Sequence, residues 1–256
     1  MRTPAADLEP VVVDPRKLRR TAWILVVIML VGGFAIYFSY LEAAKREAND
    51  DRPSIISRLS NQKDFEFIRQ DSSPGKMSDL YGDVWLVCGI SAKQPETWAA
   101  TREVLRKMSE RYADRKDFHI LCLTVDPDNE GPEVLAPLAD SLGAKLPEWW
   151  FAAAGQEYIH KFLKNDLKLE IIPRQENGKW IFDPTITVID RDLHLRKGTA
   201  KVSTHRRQPF PFNFEEAAKM DRESAPPENP QRTTRKLEEL LIHVIDYTLA
   251  QPITKP

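Results

Sequence analysis

Cysteine is scarce. The 256 residues hold two, Cys88 and Cys122. That excludes a disulfide framework and any cysteine-rich zinc site. Charge imbalance is missing too: 37 Lys and Arg stand against 38 Asp and Glu, for a net charge of −1. No bulk field therefore draws the chain to nucleic acid or to an acidic partner. The five histidines, His119, His160, His194, His205 and His243, are scattered, with no His-x-x-x-His or Cys/His ligand spacing. There is no internal repeat. Ser91 has no nucleophile-elbow context, and Glu96 has no evident partner carboxylate. These gaps leave no ready-made catalytic set, and the expectation is of no resident cofactor and no metal ligands.

One long apolar run is present: TAWILVVIMLVGGFAIYFSYL, residues 21–41. About twenty uncharged residues at helical rise span roughly 30 Å of hydrocarbon. Trp23 lies near one end, with Tyr37 and Tyr40 near the other, as interfacial aromatics do. The run has no polar face, which disfavours a buried core helix. The following LEAAKREA offers no small-x-small cleavage site, which disfavours a cleaved signal peptide. Arg16, Lys17, Arg19 and Arg20 crowd the N-terminal flank. On the far flank Lys45, Arg46 and Arg52 are diluted by Glu42, Glu47, Asp50 and Asp51. The positive-inside bias then predicts a cytoplasmic tail over 1–20 and an anchor over 21–41. A stalk over 42–65 follows, then a domain over 66–250 in the periplasm or an equivalent space. Asp7, Glu9 and Asp14 argue against a mitochondrial transit peptide.

In the soluble part, VWLVCGI (84–90) and HILCLTV (119–125) are continuous apolar runs of strand length, as central parallel strands are. Between them Pro95 can open a helix, and Trp98, Leu105, Met108 and Tyr112 recur at helical spacing. A second helix is expected over 132–142, stopped by Gly143, and a third over 156–165. Strands over 167–172 and 180–189 are expected to flank a turn at Asn177-Gly178, with a further strand over 193–197. Residues 201–232 are Pro-rich and charged and suggest a long surface loop. A closing helix follows over 236–249. Two strands linked by a helix, then a hairpin, then a helix predict an α/β protein of the thioredoxin-like plan, a central mixed sheet flanked by helices.

Three stretches carry a resemblance: SDLYGDVWLV (78–87), LTVDPDNEGPEVLAPLADSLGA (123–144) and TVIDRDLHLR (187–196). They resemble the SCO/SenC family of membrane-tethered, thioredoxin-like proteins, over roughly residues 77–197. The VDP-x-x-x-x-PEVL stretch is its most specific part. The resemblance implies a role in loading copper into the respiratory oxidase or in reducing its cysteines. It also implies a Cys-Pro-x-x-Cys motif and a distal His as ligands. Here the motif falls on Gln94-Pro95-Glu96-Thr97-Trp98, so both thiolates are replaced. The histidine position falls on Phe182 or on Pro184, depending on which local pair is aligned. Copper(I) prefers soft thiolates, and dithiol exchange needs a thiolate to attack. Gln94 and Trp98 supply neither.

Cys88 and Cys122 are the candidate substitute thiols. Both sit in apolar runs, where a free Cys acts as a small buried hydrophobe and a burial-raised pKa makes it unreactive. A disulfide between neighbouring strands is conceivable, but sheet geometry rarely suits one. Pro184 before ITVID is open to two readings: the cis-proline that many thioredoxin-like folds place opposite the motif, or an ordinary trans Pro. His205-Arg206-Arg207 beside QPFPFNF is either a docking surface or a loop packing its own Phe residues. Three functions follow: a non-catalytic binding or assembly factor linked to respiratory oxidase biogenesis, a copper carrier with relocated ligands, or a thiol oxidoreductase using Cys88 or Cys122. The partners expected for the first are the membrane, oxidase subunits or other assembly proteins, with no nucleic acid.

Overall fold

The computed structural model describes residues 14–48, 52–59, 64–203, 206–224 and 233–252. His205, most of the predicted cytoplasmic tail and residues 225–232 lie outside them. The chain divides into two units, residues 1–50 with 201–207, and residues 51–200 with 208–256.

The first unit carries α1 (Pro15–Ala48), in which Pro15–Ala43 is long and apolar enough to cross a membrane. Its apolar side chains are exposed, Met29 at 75% and Ile36 at 72%. The helix runs on past the apolar stretch because EAAKREA is built from strong helix formers. Part of the predicted stalk is therefore helix.

The strands are β1 (Ser54–Arg58), β2 (Glu66–Arg69), β3 (Pro74–Lys76), β4 (Val84–Ile90), β5 (Phe118–Thr124), β6 (Trp149–Ala153), β7 (Arg174–Glu176), β8 (Lys179–Ile181), β9 (Thr187–Ile189), β10 (His194–Ser203) and β11 (Arg206–Phe210). The helices after α1 are α2 (Ala99–Arg111), α3 (Pro132–Ser141), α4 (Gln156–Lys161), α5 (Phe214–Ser224) and α6 (Thr233–Ala250). The main sheet runs β1–β10–β9–β4–β5–β6–β2–β3. β4 and β5 pair in parallel across the α2 crossover, while β9 joins the other side of β4 antiparallel, followed by β10 antiparallel to β9. This is the thioredoxin-like arrangement that the order of apolar runs predicts.

Every residue of β4 and β5 is buried, as strands covered on both faces must be. The helical stripe on α2 is buried at Val104, Leu105 and Met108, with Trp98 before it and Tyr112 after it. α6 packs on β4 and on α5, and α5 packs on α2. At Gly198 in β10 an added Cβ would stand 2.4 Å from Leu240 Cγ, so only glycine lets α6 approach that closely.

Several expectations need correction. Residues 54–58, read as stalk, form β1 and pair with β10. Residues 167–172 are not a strand: a π turn (Phe162–Asp166) precedes them and Lys168 adopts a φ of 59°. Leu167 and Leu169 are still buried, which is why the run looked like a strand. The hairpin at Asn177-Gly178 exists, with both residues at positive φ, but it joins the short β7 and β8. The predicted strand over 180–189 breaks at Asp183-Pro184, where the Asp183 carboxylate accepts from the Glu170 and Thr185 N–H groups and Pro has none to give. β6 was not foreseen, because WWFAA is short and has no alternation. Within 201–232, read as a long loop, β11 and α5 form. Phe212 and Phe214 of QPFPFNF are 1% and 0% exposed and pack into the domain, while Phe210 is 40% exposed.

Candidate functional site, the loop between β4 and α2

In a β-α-β unit the loop leaving the first strand opens at the carboxyl end of the sheet, where such folds place their chemistry. Here that loop is residues 91–98, which holds Gln94 and Trp98. Gln94 caps a 3-10 turn (Pro95–Trp98), with Pro95 at its first position. Trp98 has no exposed surface, and its indole N–H donates to the Ser91 carbonyl at 2.8 Å. The side chain spans the loop from its end back to its start. Arg102, one turn on, lies with its guanidinium 5.7 Å from the Trp98 ring centroid.

Glu130 holds the start of the same loop. It comes from the turn after β5 and is completely buried. Its carboxylate accepts from Ser91 Oγ at 2.9 Å, from the Ala92 N–H at 2.9 Å and from the Lys93 N–H at 2.8 Å. It also accepts a short bond from Thr124 Oγ1. Four donors thus stand in for a counter-ion, as a buried carboxylate requires. They tie the ends of β4 and β5 to one group.

Residues 180–184 lie against the loop at Gln94 and against α2 at Thr101. The Trp180 N–H donates to Gln94 Oε1 at 3.1 Å, and Thr101 Oγ1 on α2 donates to the Pro184 carbonyl at 3.3 Å. Phe182 is 8% exposed and belongs to the apolar core. Among the described residues the cis peptide bond is Leu146–Pro147, so Asp183–Pro184 is trans and the cis reading of Pro184 is corrected. Beside the segment, His160 sets its ring 5.4 Å from that of Trp180 and directs Nε2 to the Val125 carbonyl at 2.8 Å. His119 lies at the start of β5, between the Pro147 carbonyl at 2.9 Å and Asp83 Oδ2 at 3.0 Å.

The two cysteines sit elsewhere, inside the sheet. Cys88 and Cys122 are partners in the β4–β5 ladder, with their sulfurs 3.8 Å apart and no exposed surface. The Trp149 indole N–H also points at Cys122 Sγ, at 3.3 Å. Contact with Cys122, together with burial, pushes the Cys88 thiol well above its ordinary pKa. Among the described residues no three His, Cys, Asp or Glu side chains are grouped to hold a metal ion.

The sequence pattern singles out Gln94 and Trp98 but not Glu130 or Trp180, and gives His160 only as one of five scattered histidines. Glu130 is one acid among several in DPDNEGPE, and spacing alone does not say which one turns inward.

No protein-family profile and no curated protein matches the chain. Solved structures do. One is BsSco, described as a member of the Sco family of cytochrome c oxidase assembly proteins: identity 22%, covering 57% of this chain and 90% of that one, TM-score 0.45. The chain is similar to Sco proteins. A SCO1/SenC family lipoprotein of Bacillus anthracis matches at 22% identity over 66% of this chain and 98% of its own, with TM-score 0.47. Copper-bound ScoI of Bradyrhizobium japonicum matches at 19%, over 62% and 97%, with TM-score 0.42. The roles of residues in this chain rest on its own side chains.

Proposed function

We infer that this chain is a membrane-anchored, SCO-like protein that acts by binding, in the assembly of a respiratory oxidase, and not by holding copper or exchanging thiols at the 91–98 loop. The observation that carries the reading is the buried Trp98, whose indole is committed to the Ser91 carbonyl in the position where the resembling family has a thiolate. Gln94, at the other thiolate position, is engaged with the Trp180 backbone. An amide oxygen and an indole are poor partners for copper(I). The two thiols are buried in the closed sheet, apart from the 91–98 loop. What remains is a kept scaffold on an anchor, with its N-terminus in the cytoplasm and its domain in the periplasm or an equivalent space. The link to oxidase assembly is drawn from the resemblance and from what BsSco is said to do.

The test is an anaerobic copper(I) titration of the full chain in detergent against a competing chelator, with Cys88→Ser and Cys122→Ser as controls. We expect no binding tighter than the chelator. One-to-one binding that survives competition and is lost in a control would replace this reading with a relocated copper centre. Crosslinking in membranes should capture oxidase subunits or their assembly partners, and capture of none would remove the assembly role.

A further inference from the structure

We propose that Cys88 and Cys122 form a reversible cross-strand disulfide at the centre of the sheet, so that the domain exists in a dithiol and a disulfide state. The ladder sets the two residues opposite each other, Cys88 with Cys122 on parallel neighbours. Neighbouring strands run about 4.8 Å apart, inside the Cα separation that disulfides span. Ladder partners send their side chains to the same face, and the sulfurs already touch at 3.8 Å. Closing the bond draws them together by side-chain rotation and a small local approach of β4 to β5.

Burial selects the product. A metal held between two thiolates would bring charge into a site with no exposed surface. A disulfide is neutral, and costs nothing of that kind. The raised pKa of Cys88 has the same physical origin: the folded site disfavours a thiolate. Exchange therefore proceeds when the β4–β5 ladder opens, and the closed sheet then shields whichever state was formed. The oxidant is a low-molecular-weight or protein disulfide, R–S–S–R. The thiolate of one Cys attacks it, giving a mixed disulfide and releasing R–SH. The second Cys thiolate then attacks that mixed disulfide, forming the Cys88–Cys122 bond and releasing a second R–SH. One S–S bond breaks and one forms overall, and the two thiol protons leave on the two R–SH molecules. The bond encloses the 91–98 loop and α2 in a covalent loop whose ends are 34 residues apart.

The experiment uses the full chain in detergent micelles, incubated with oxidised glutathione in urea rising to just below global unfolding. Samples are acid-quenched, unfolded, treated with a mass-tagged maleimide and weighed intact. We expect the wild type to lose the mass of two hydrogen atoms, to take no tag, and to unfold at higher urea than before oxidation. Reductant in the same urea should restore two tags. Cys88→Ser and Cys122→Ser should each retain one taggable or glutathionylated thiol. The wild-type mass carries the result even where a serine variant folds poorly. Wild-type protein that keeps its native circular dichroism yet takes two tags, or two glutathiones, at every urea concentration overturns the proposal.

Discussion

Trp98 and Glu130 decide the state of the 91–98 loop, one from each end. Trp98 is wholly buried, so Trp98→Ala opens a cavity and removes the indole donor from the Ser91 carbonyl. The expected loss is about 3–5 kcal/mol in urea unfolding. A loss below about 1 kcal/mol would mean that the loop collapses around the gap and that Trp98 is not its support. Glu130→Gln keeps the size but turns one acceptor oxygen into a donor, aimed at a hydroxyl or a backbone N–H. We expect it to cost about 2 kcal/mol, read as a lower urea midpoint at an unchanged slope. A variant as stable as the wild type would show that the four donors are satisfied without the carboxylate charge.

At the scale of elements, the junction of α5 and α6 turns on Asp221. Its carboxylate accepts from the Thr233 and Thr234 N–H groups at 2.6 and 3.0 Å and from Thr234 Oγ1 at 2.6 Å. These N–H groups begin α6 and have no partner within the helix. Burial alone would raise the Asp221 pKa, but the bonds from Thr234 and Thr233 outweigh it and lower the value from 3.8 to about 2. The folded carboxyl thus titrates below the unfolded one. Its contribution is present in full above pH 3.8 and is lost as pH falls through about 2. Asp221→Ala should cost about 1 kcal/mol at neutral pH. It should also flatten the acid limb of stability between those two pH values. An acid limb identical to that of the wild type would assign the titration to another carboxylate.

For the whole molecule, the governing feature is one apolar helix joined to a mixed α/β domain. If α1 spans the bilayer, the full chain resists extraction by alkaline carbonate, and a chain starting at residue 52 does not pellet with membranes. With the N-terminus inside, protease added to the outer face removes the domain and spares a tag on residue 1. Protection of the domain would reverse the topology, and carbonate extraction of the full chain would remove the anchor.

The sequence by itself determined the apolar helix, the two central strands and the crossover helix between them. Each is written in local pattern: an uncharged run of membrane length, two largely apolar runs of strand length, and an apolar stripe at helical spacing. Tertiary structure decided the rest. β1 and β6 are strands because a sheet edge or neighbour was there to pair with, which no short window records. α5 forms in a Pro-rich stretch because Phe212 and Phe214 have a core to enter. Glu130 becomes the keystone of the loop only when three donors from the loop and one from β5 converge on it. Cys88 and Cys122, 34 residues apart in the chain, meet because the ladder is in register. Contacts between distant residues depend on register and packing, and those are properties of the folded chain as a whole.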